Sequence, residues 1–531
     1  GLAKRGGVLQ RRQELPMEAF IDSERLRDIE AASRGAMDVQ AVIAAVIAAV
    51  STLRSLSDFW AILAALFRRK HNVDSLLPVV AISYCWLEPQ HPDCEGHQLR
   101  LLCSKLAQLY GRRGLLGAFR KYGFSDVGVF LDFASLNQKD PKLWVGWMAD
   151  RELYALGDDE LAQASPDGAK MVAERYAYEQ SRTQEEKAAF ERGLSETMDL
   201  WYAHAATTVI LMTAPPPQLP EGFDWVTRGY ISRGWTTFER CSAELAKSFR
   251  LSGARWKLVI DIGDEGGDAR RRLPTTPERF AELLECREFT NGADKAEVLA
   301  LYSRTAAAVL GTVETLDYAG LALVSGDAWC SPVLLADVLN RCQCLRLLEL
   351  RGSRLDDKGL DELAAGLKEG ALPTLEVMRL GCCRFGAPGI DAICAAFRRG
   401  VAPELQILGL GACLFGDAGA EAFAVALITG GIPERLATAN LSLNDIGDTG
   451  ATALANALLQ SGCGCRIGCT YNRIGLAPQS SLLVAFEGRH GATVGHGIAV
   501  LVCNPPIWLG ALSRATARGC RRFLESGRVL L

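Results

Sequence analysis

The chain has 531 residues, of which 49% are hydrophobic and 23% charged, a balance that excludes intrinsic disorder and a length that exceeds a single core. Its 58 Lys and Arg against 62 Asp and Glu leave a net charge of −4, so no basic surplus exists to hold a polyphosphate backbone, and nucleic acid is excluded as the expected partner. The 17 cysteines are scattered without a regular framework, which argues against a disulfide-stapled secreted domain.

The first twenty residues lack the apolar core of a secretory signal, so a reducing, cytoplasmic setting with free thiols is expected. Residues 1–75 read as a helical segment in which "SLSDFWAILAALFRRKH" is amphipathic. Within it "VQAVIAAVIAAVSTL" (39–53) is short for a bilayer crossing and is followed by Arg54 and Asp58. No membrane association is expected.

From 76 to 270 short apolar runs alternate with helical patterns. Strands are expected at "LLPVVAISY" (76–84), "DVGVFLDFAS" (126–135), "ATTVILMTA" (206–214) and "RWKLVIDIG" (255–263). Helices are expected at 96–114, 183–204 and 234–249, with Thr183 and Glu186 as a capping box. The stretch 139–181 is an insertion. Such alternation implies a parallel sheet covered on both faces.

Residues 271–315 read as a helical connector, and 316–480 repeat themselves. Leu348, Met378, Leu408, Ala439 and Ile467 follow one another at intervals of 30, 30, 31 and 28 residues. Each unit closes with an amphipathic helix such as "GLDELAAGL". One strand and one helix per unit, stacked, gives an α/β solenoid with a horseshoe form. Leu348, Leu380, Leu410 and Leu441 are expected to form one inward column, and Arg346, Glu349, Arg351, Glu376 and Arg379 to lie exposed on the concave face as a partner-binding surface. The tail 481–531 includes "GIAVLVCNPPIWLGAL", broken by Pro505 and Pro506.

The repeats resemble the leucine-rich-repeat family, with the unit length of its ribonuclease-inhibitor class and of receptor-type repeats in innate immunity. The resemblance implies that Ser353, Cys383, Cys413, Asn444 and Asn472 occupy a position that hydrogen-bonds backbone between neighbouring coils. "CGCRIGC" (463–469) lacks a Cys-x-x-C pair or a His partner, so no metal is expected. No Gly-x-x-x-x-Gly-Lys-Ser/Thr loop of a nucleotide-binding module is found.

Four marks in the α/β segment stand in a fixed order: "AISYCW" (81–86), "FLDFASLNQ" (130–138), "MDLWYAHAATTVILMT" (198–213) and "SRGWTTFERCSAEL" (232–245). In that order they resemble the heterokaryon-incompatibility (HET) domain and the Toll/interleukin-1 receptor (TIR) domain, across about residues 77–262. Ser83, Tyr84 and Trp86 match the first motif, Asp132, Asn137 and Gln138 the second, and Arg233, Trp235 and Glu239 the last. The resemblance implies a flavodoxin-like parallel sheet that signals by self-association, and partner contacts in the loop carrying His91 and Asp93.

In TIR domains that cleave NAD, the Trp-x-x-x-Glu helix supplies the catalytic carboxylate. By that resemblance Glu239 and Trp235 are the candidate catalytic residues, Ser83, Tyr84, Trp86 and Asp132 the candidate ligand-binding residues, and NAD the candidate substrate. The plainer reading makes Trp235 a core anchor and Glu239 an ion-paired or solvated helix residue. Three functions remain: an intracellular, receptor-like interaction protein, an NAD glycohydrolase, and a repeat scaffold whose α/β domain is structural.

Overall fold

The computed structural model describes residues 12–14 and 78–475, apart from short stretches within 112–125, 246–257 and 264–271 and the positions 291 and 462. The expected helical segment over 1–75, save a single 3-10 turn at Arg12–Glu14, and the tail over 481–531 lie outside the described residues. Among the described residues no helix is long and apolar enough to cross a membrane. The chain divides into two compact units, residues 1–270 with 277–305, and residues 271–276 with 306–531.

The first unit is built on a four-stranded parallel sheet. Val79–Ser83 form β1, buried at all five positions, as a strand covered on both faces must be. Gly128–Phe130 form β2, Thr208–Leu211 β3 and Val259–Asp261 β4, in the spatial order β2-β1-β3-β4. Val80, Ile82, Ile210 and Ile260 from these strands pack with Leu102 of helix α1 (His97–Tyr110), Phe119 and Phe124.

The strand expected over 126–135 stops at Phe130, and Asp132–Ser135 coil into a one-turn helix, α2. The cause is local. The Asp132 carboxylate accepts the N–H of Phe133 at 2.6 Å, and Ser135 Oγ accepts that of Leu131 at 3.1 Å, so side chains satisfy donors that a helix start leaves orphaned.

The stretch 139–181 is largely helical, with α3 at Arg151–Ala155, α4 at Asp158–Ala164 and α5 at Gly168–Glu179. Thr183 and Glu186 then form a reciprocal capping box on α6 (Gln184–Arg192). The helix expected to run on to 204 is interrupted by a wider π-type turn at Gly193–Thr197 before α7 (Met198–Ala203). There Ser195 and Thr197 turn their hydroxyls back onto the carbonyls of Glu191 and Gly193, a bonding pattern that distorts helices.

Trp225–Arg228 form α8 and Gly234–Glu244 form α9. A Cβ at Gly234 would stand 1.9 Å from Phe289 Cζ, so glycine alone admits that ring. Helices α10 (Pro277–Glu285) and α11 (Asp294–Thr312) follow.

The second unit carries six parallel strands in sequential order: β5 (Thr315–Asp317), β6 (Leu347–Glu349), β7 (Val377–Arg379), β8 (Ile407–Gly409), β9 (Thr438–Asn440) and β10 (Arg466–Gly468). The intervening helices are α12 (Pro332–Leu339), α13 (Asp357–Gly366), α14 (Ala387–Arg398), α15 (Gly416–Ile428) and α16 (Asp448–Ser461). Strand register places Leu348, Met378, Leu408, Ala439 and Ile467 side by side in one buried row. Leu350, Leu380, Leu410 and Leu441 form a second buried row two residues on. The single column expected to join Leu348 to Leu380 is therefore two adjacent rows.

Polar side chains lock one coil to the next. Asn444 donates to Leu410 O at 2.7 Å and accepts the N–H groups of Cys413 and Leu414 at 2.7 and 2.9 Å. Asn472 repeats this on Leu441 O, Asn444 N and Ile446 N. Cys383 and Cys413 reach Leu350 O and Leu380 O through sulfur at 3.6 and 3.4 Å.

A further series runs along the helix starts. Asp357 Oδ1 accepts from Gly386 N and Gly389 N, Asp417 Oδ1 from Gly447 N and Gly450 N, and Asp448 Oδ1 from Gly475 N. Ala387 holds the equivalent place on α14 and breaks the series. There Gly416 N donates to Asn444 O instead, and α15 starts one residue earlier in its unit.

Candidate functional site

Parallel strands bring their carboxyl ends to one edge of the sheet, where open α/β folds place ligands. Ser83 ends β1 and Tyr84 follows it; Asp132 opens α2 just past β2; Tyr202 lies in α7; Tyr230 starts a 3-10 turn leading into α9; Glu239 lies on α9. The Tyr84 hydroxyl donates to Asp132 Oδ1, and Trp86 Nε1 donates to Asp132 Oδ2 at 3.0 Å. Ser83 Oγ and Tyr230 Oη share a hydrogen bond at 2.5 Å. Tyr202 Oη donates to Ile82 O at 3.4 Å.

Glu239 is only 5% exposed, and its Oε2 is buried with no hydrogen-bond partner. Burial pushes its carboxyl well above the ordinary glutamate range, and the charge of nearby Asp132 pushes the same way. The hydroxyls of Ser83 and Tyr202 oppose this without reversing it. Burial also raises Asp132, against the pull of its bonds from Tyr84, Trp86 and Phe133 N. Two carboxyls so placed favour a neutral Glu239 that keeps its proton. Tyr84 and Tyr230 are raised as well, first by burial, then by the charges of Asp132 and Glu239 respectively.

The solvated or ion-paired Glu239 of the plainer reading is corrected by this geometry. Its neighbour Arg240 pairs instead with Glu244 at 3.3 Å and Asp261 at 3.7 Å. Trp235 lies one turn away on α9, where its indole N–H donates to Asp294 at 3.0 Å and its ring stands edge-on to Phe238. Arg233 donates to Thr290 Oγ1.

The loop after β1 is tied inward. His91 Nδ1 accepts the N–H of Asp93, and the His91 ring packs on Phe133. Asp93 is fully buried and caps α1 by accepting from Gln98 N and Leu99 N at 3.0 and 2.9 Å. Gln98 Nε2 in turn donates to Cys85 O and Pro92 O. His91 and Asp93 are therefore internal struts, and a partner contact of this loop would fall on its other residues.

The outward face of the second sheet has a different character. Register aligns Leu347, Val377 and Ile407 across β6, β7 and β8, with Ile407 41% exposed. Arg346 pairs with Glu376 at 3.6 Å beside this strip. Glu349, expected exposed, is 4% exposed. Arg351 Nε bonds its Oε1 at 2.8 Å and Arg379 Nη1 its Oε2 at 3.3 Å, so one arginine from its own coil and one from the next cover it.

Thus the structure brings Ser83, Tyr84, Trp86, Asp132 and Glu239 together, joins Glu349, Arg351 and Arg379 on the outward face of the second sheet, and pairs Arg346 with Glu376 just ahead of the strands, while Trp235 takes partners of its own. Tyr202 and Tyr230 complete the first cluster and were not singled out from the sequence. Tyr202 lies within the stretch 198–213, but nothing in the pattern around Tyr230 marks it. The Leucine Rich repeat family matches the chain at residues 341–364 and 440–455, within the second unit. No curated protein matches the chain. The chain therefore carries leucine-rich repeats.

Proposed function

We propose that this leucine-rich-repeat chain is a protein-interaction molecule, receptor-like or scaffolding, that holds its partner on the outward face of β5–β10. The carrying observation is the lateral row Leu347, Val377 and Ile407, an apolar strip on a solvent-facing sheet surface bordered by the Arg346–Glu376 and Arg351–Glu349–Arg379 ion pairs. An apolar centre with a charged rim is the anatomy of a specific protein interface. On this reading the repeats stack as a horseshoe with that face concave, and the protein works in the cytoplasm.

The first unit then serves as a HET/TIR-like signalling domain acting by self-association. Its strand order β2-β1-β3-β4 agrees with the first four places of the flavodoxin-like order, and the meeting of Ser83, Tyr84, Trp86, Asp132 and Glu239 supports the same reading. The test is capture of binding proteins by the full chain and by Ile407→Glu, which puts a charge in the strip. Capture of the same proteins by both would reject the interface.

A second reading, NAD hydrolysis at Glu239, is favoured by the buried, unpartnered Oε2 beside Asp132. An ionised Glu239 would stabilise positive charge as nicotinamide leaves, and Ser83, Tyr84, Trp86 and Asp132 would hold the ribose. This needs Tyr84 and Trp86 to leave Asp132 and Glu239 to lose its proton. Nicotinamide release by the concentrated protein, absent in Glu239→Gln, is the expected result; equal release by both moves the site elsewhere.

A further inference from the structure

Glu349 is not itself a surface that a partner meets. Its carboxylate lies beneath two guanidiniums: Arg351 uses its backbone N–H at 3.1 Å and its Nε at 2.8 Å, and Arg379 uses Nη1 at 3.3 Å. The terminal nitrogens of Arg351 and Nη2 of Arg379 have no partner among the described residues, and the two side chains are 56% and 42% exposed. Asp317 of β5, beside Glu349 in the same row, also acts on Arg351, so what stays open at this point of the sheet is a set of arginine N–H donors rather than a surplus of charge.

The floor beside the arginines is bare. A Cβ on Gly381 would lie 3.7 Å from Arg351 Cγ, and one on Gly409 would lie 3.5 Å from Arg379 Cγ. Farther along the same outward rows stand Gly411, Asn440, Ser442 and Gly468, with no carboxylate among them. Asp317 aligns with Glu349 on the opposite side, toward β5. Towards β8–β10, then, the glycines let a partner backbone approach closely and meet the arginine N–H groups.

We infer that Glu349 holds Arg351 and Arg379 as a preset fork that takes an Asp or Glu carboxylate from an acidic segment of the protein partner. Planar guanidiniums suit a carboxylate because paired N–H groups match its two oxygens, and fixing them beforehand lowers the ordering cost of binding. One incoming carboxylate would accept from the open N–H groups of both arginines. The inference rests on the interface reading above and adds the chemistry of the partner. Glu349 acts as a positioning residue.

The test uses the full chain and three fluorescent eight-residue probes, Leu alternating with Glu, Gln or Lys, followed by anisotropy. The Glu probe is expected to bind, with the Gln probe and each of R351Q and R379Q about tenfold weaker. E349Q adds positive charge, yet it is expected to weaken the Glu probe because the fork is no longer held. Tighter binding by E349Q, or equal binding of the Glu and Lys probes, would overturn the fork in favour of bulk charge or none. Stronger binding of a single-stranded oligonucleotide of equal charge would overturn it in favour of nucleic acid. If I407E lowers binding of the Glu and Gln probes alike while R351Q/R379Q changes nothing, the fork fails and the interface stands. If none of these substitutions alters probe binding, both fail. R351Q and R379Q change exposed side chains, so they remain decisive should E349Q fold poorly.

Discussion

Asp417 Oδ1 accepts the backbone N–H of Gly450 at 3.0 Å, so a carboxylate of one repeat serves the first helical turn of the next. The same oxygen accepts Gly447 N–H at 2.6 Å. Acidic groups are favoured at helix starts both as caps and by the helix dipole. A Cβ at Gly450 would lie 2.7 Å from that oxygen and 2.8 Å from Ala420 Cβ, so the glycine is there for close approach.

Asp417→Ala should therefore cost about 1–2 kcal/mol, since two donors lose their partner. Gly450→Ala should cost a similar amount by forcing Asp417 away. Asp391→Ala, at an exposed position of α14, should stay within about 0.5 kcal/mol. Urea midpoints of the three variants check this; an unchanged midpoint for Asp417→Ala would show the rung to be idle.

Leu410→Ala removes a fully buried side chain from the second inward row and leaves a cavity between β8 and its helix layer. The expected loss is about 2–5 kcal/mol. Ile407→Ala, one register step before Leu408 on the exposed face, should lose far less, because part of that side chain is already in water. Equal losses in chemical denaturation would mean that the inward and outward faces are misassigned.

Glu239 gives the protein a pH dependence with a definite sign. Its folded-state pKa is raised, so between the unfolded value of about 4.3 and the folded value the native chain binds the extra proton. Stability from this group is complete below about pH 4.3 and declines as pH rises through that window. Glu239→Gln removes the titration while keeping the shape, so its stability relative to wild type should increase from pH 5 to pH 8. A difference that is flat, or that runs the other way, would mean Glu239 is ionised in the native state.

Thiol chemistry should separate two populations. Cys103, Cys286 and Cys344 are exposed, whereas Cys383, Cys413 and Cys469 are buried. Burial pushes the Cys469 thiol up to about 12 and raises the other two as well. Iodoacetamide on the native protein should modify the exposed set and spare the buried set until denaturant is added. Mass spectrometry of peptides containing Cys413 decides the point.

The repeat was legible because two periodicities coincide there: alternation within Leu348–Leu350 and recurrence from Leu348 to Met378 to Leu408. The meeting of Ser83, Tyr84 and Asp132 was legible because each closes an apolar run, and parallel strands end at one edge. Other features were not. Asp132 sits in a run that scans as strand, and the capping bonds of Asp132 and Ser135, with the backbone bonds onto Leu131 O, turn the chain there. The alternation that correctly sends Glu349 outward says nothing of arginines arriving from its own coil and the next to cover it. His91 and Asp93 look like loop residues in water, yet the backbone donors of α1 draw Asp93 inside. Glu239 follows the same lesson: helical spacing gives its face but not the depth at which that face lies.

The inter-coil ladder changes material along its length. At Cys383 and Cys413 the rung is a thiol whose contacts, including one shared with Ser353 Oγ, run at 3.4–3.6 Å, while at Asn444 and Asn472 it is an amide that donates and accepts at 2.7–3.1 Å. Thiols are weak donors, so the two kinds of seam differ in strength although the strands look alike. In a stack whose coils touch only their neighbours, cohesion is local. The grip should tighten toward the carboxyl end: transient opening starts at the sulfur seams, and amide hydrogens near Asn444 are the last in the sheet to exchange with solvent. Faster exchange at Cys413 and Leu414 than at Cys382 and Arg384 would show that this gradient does not exist.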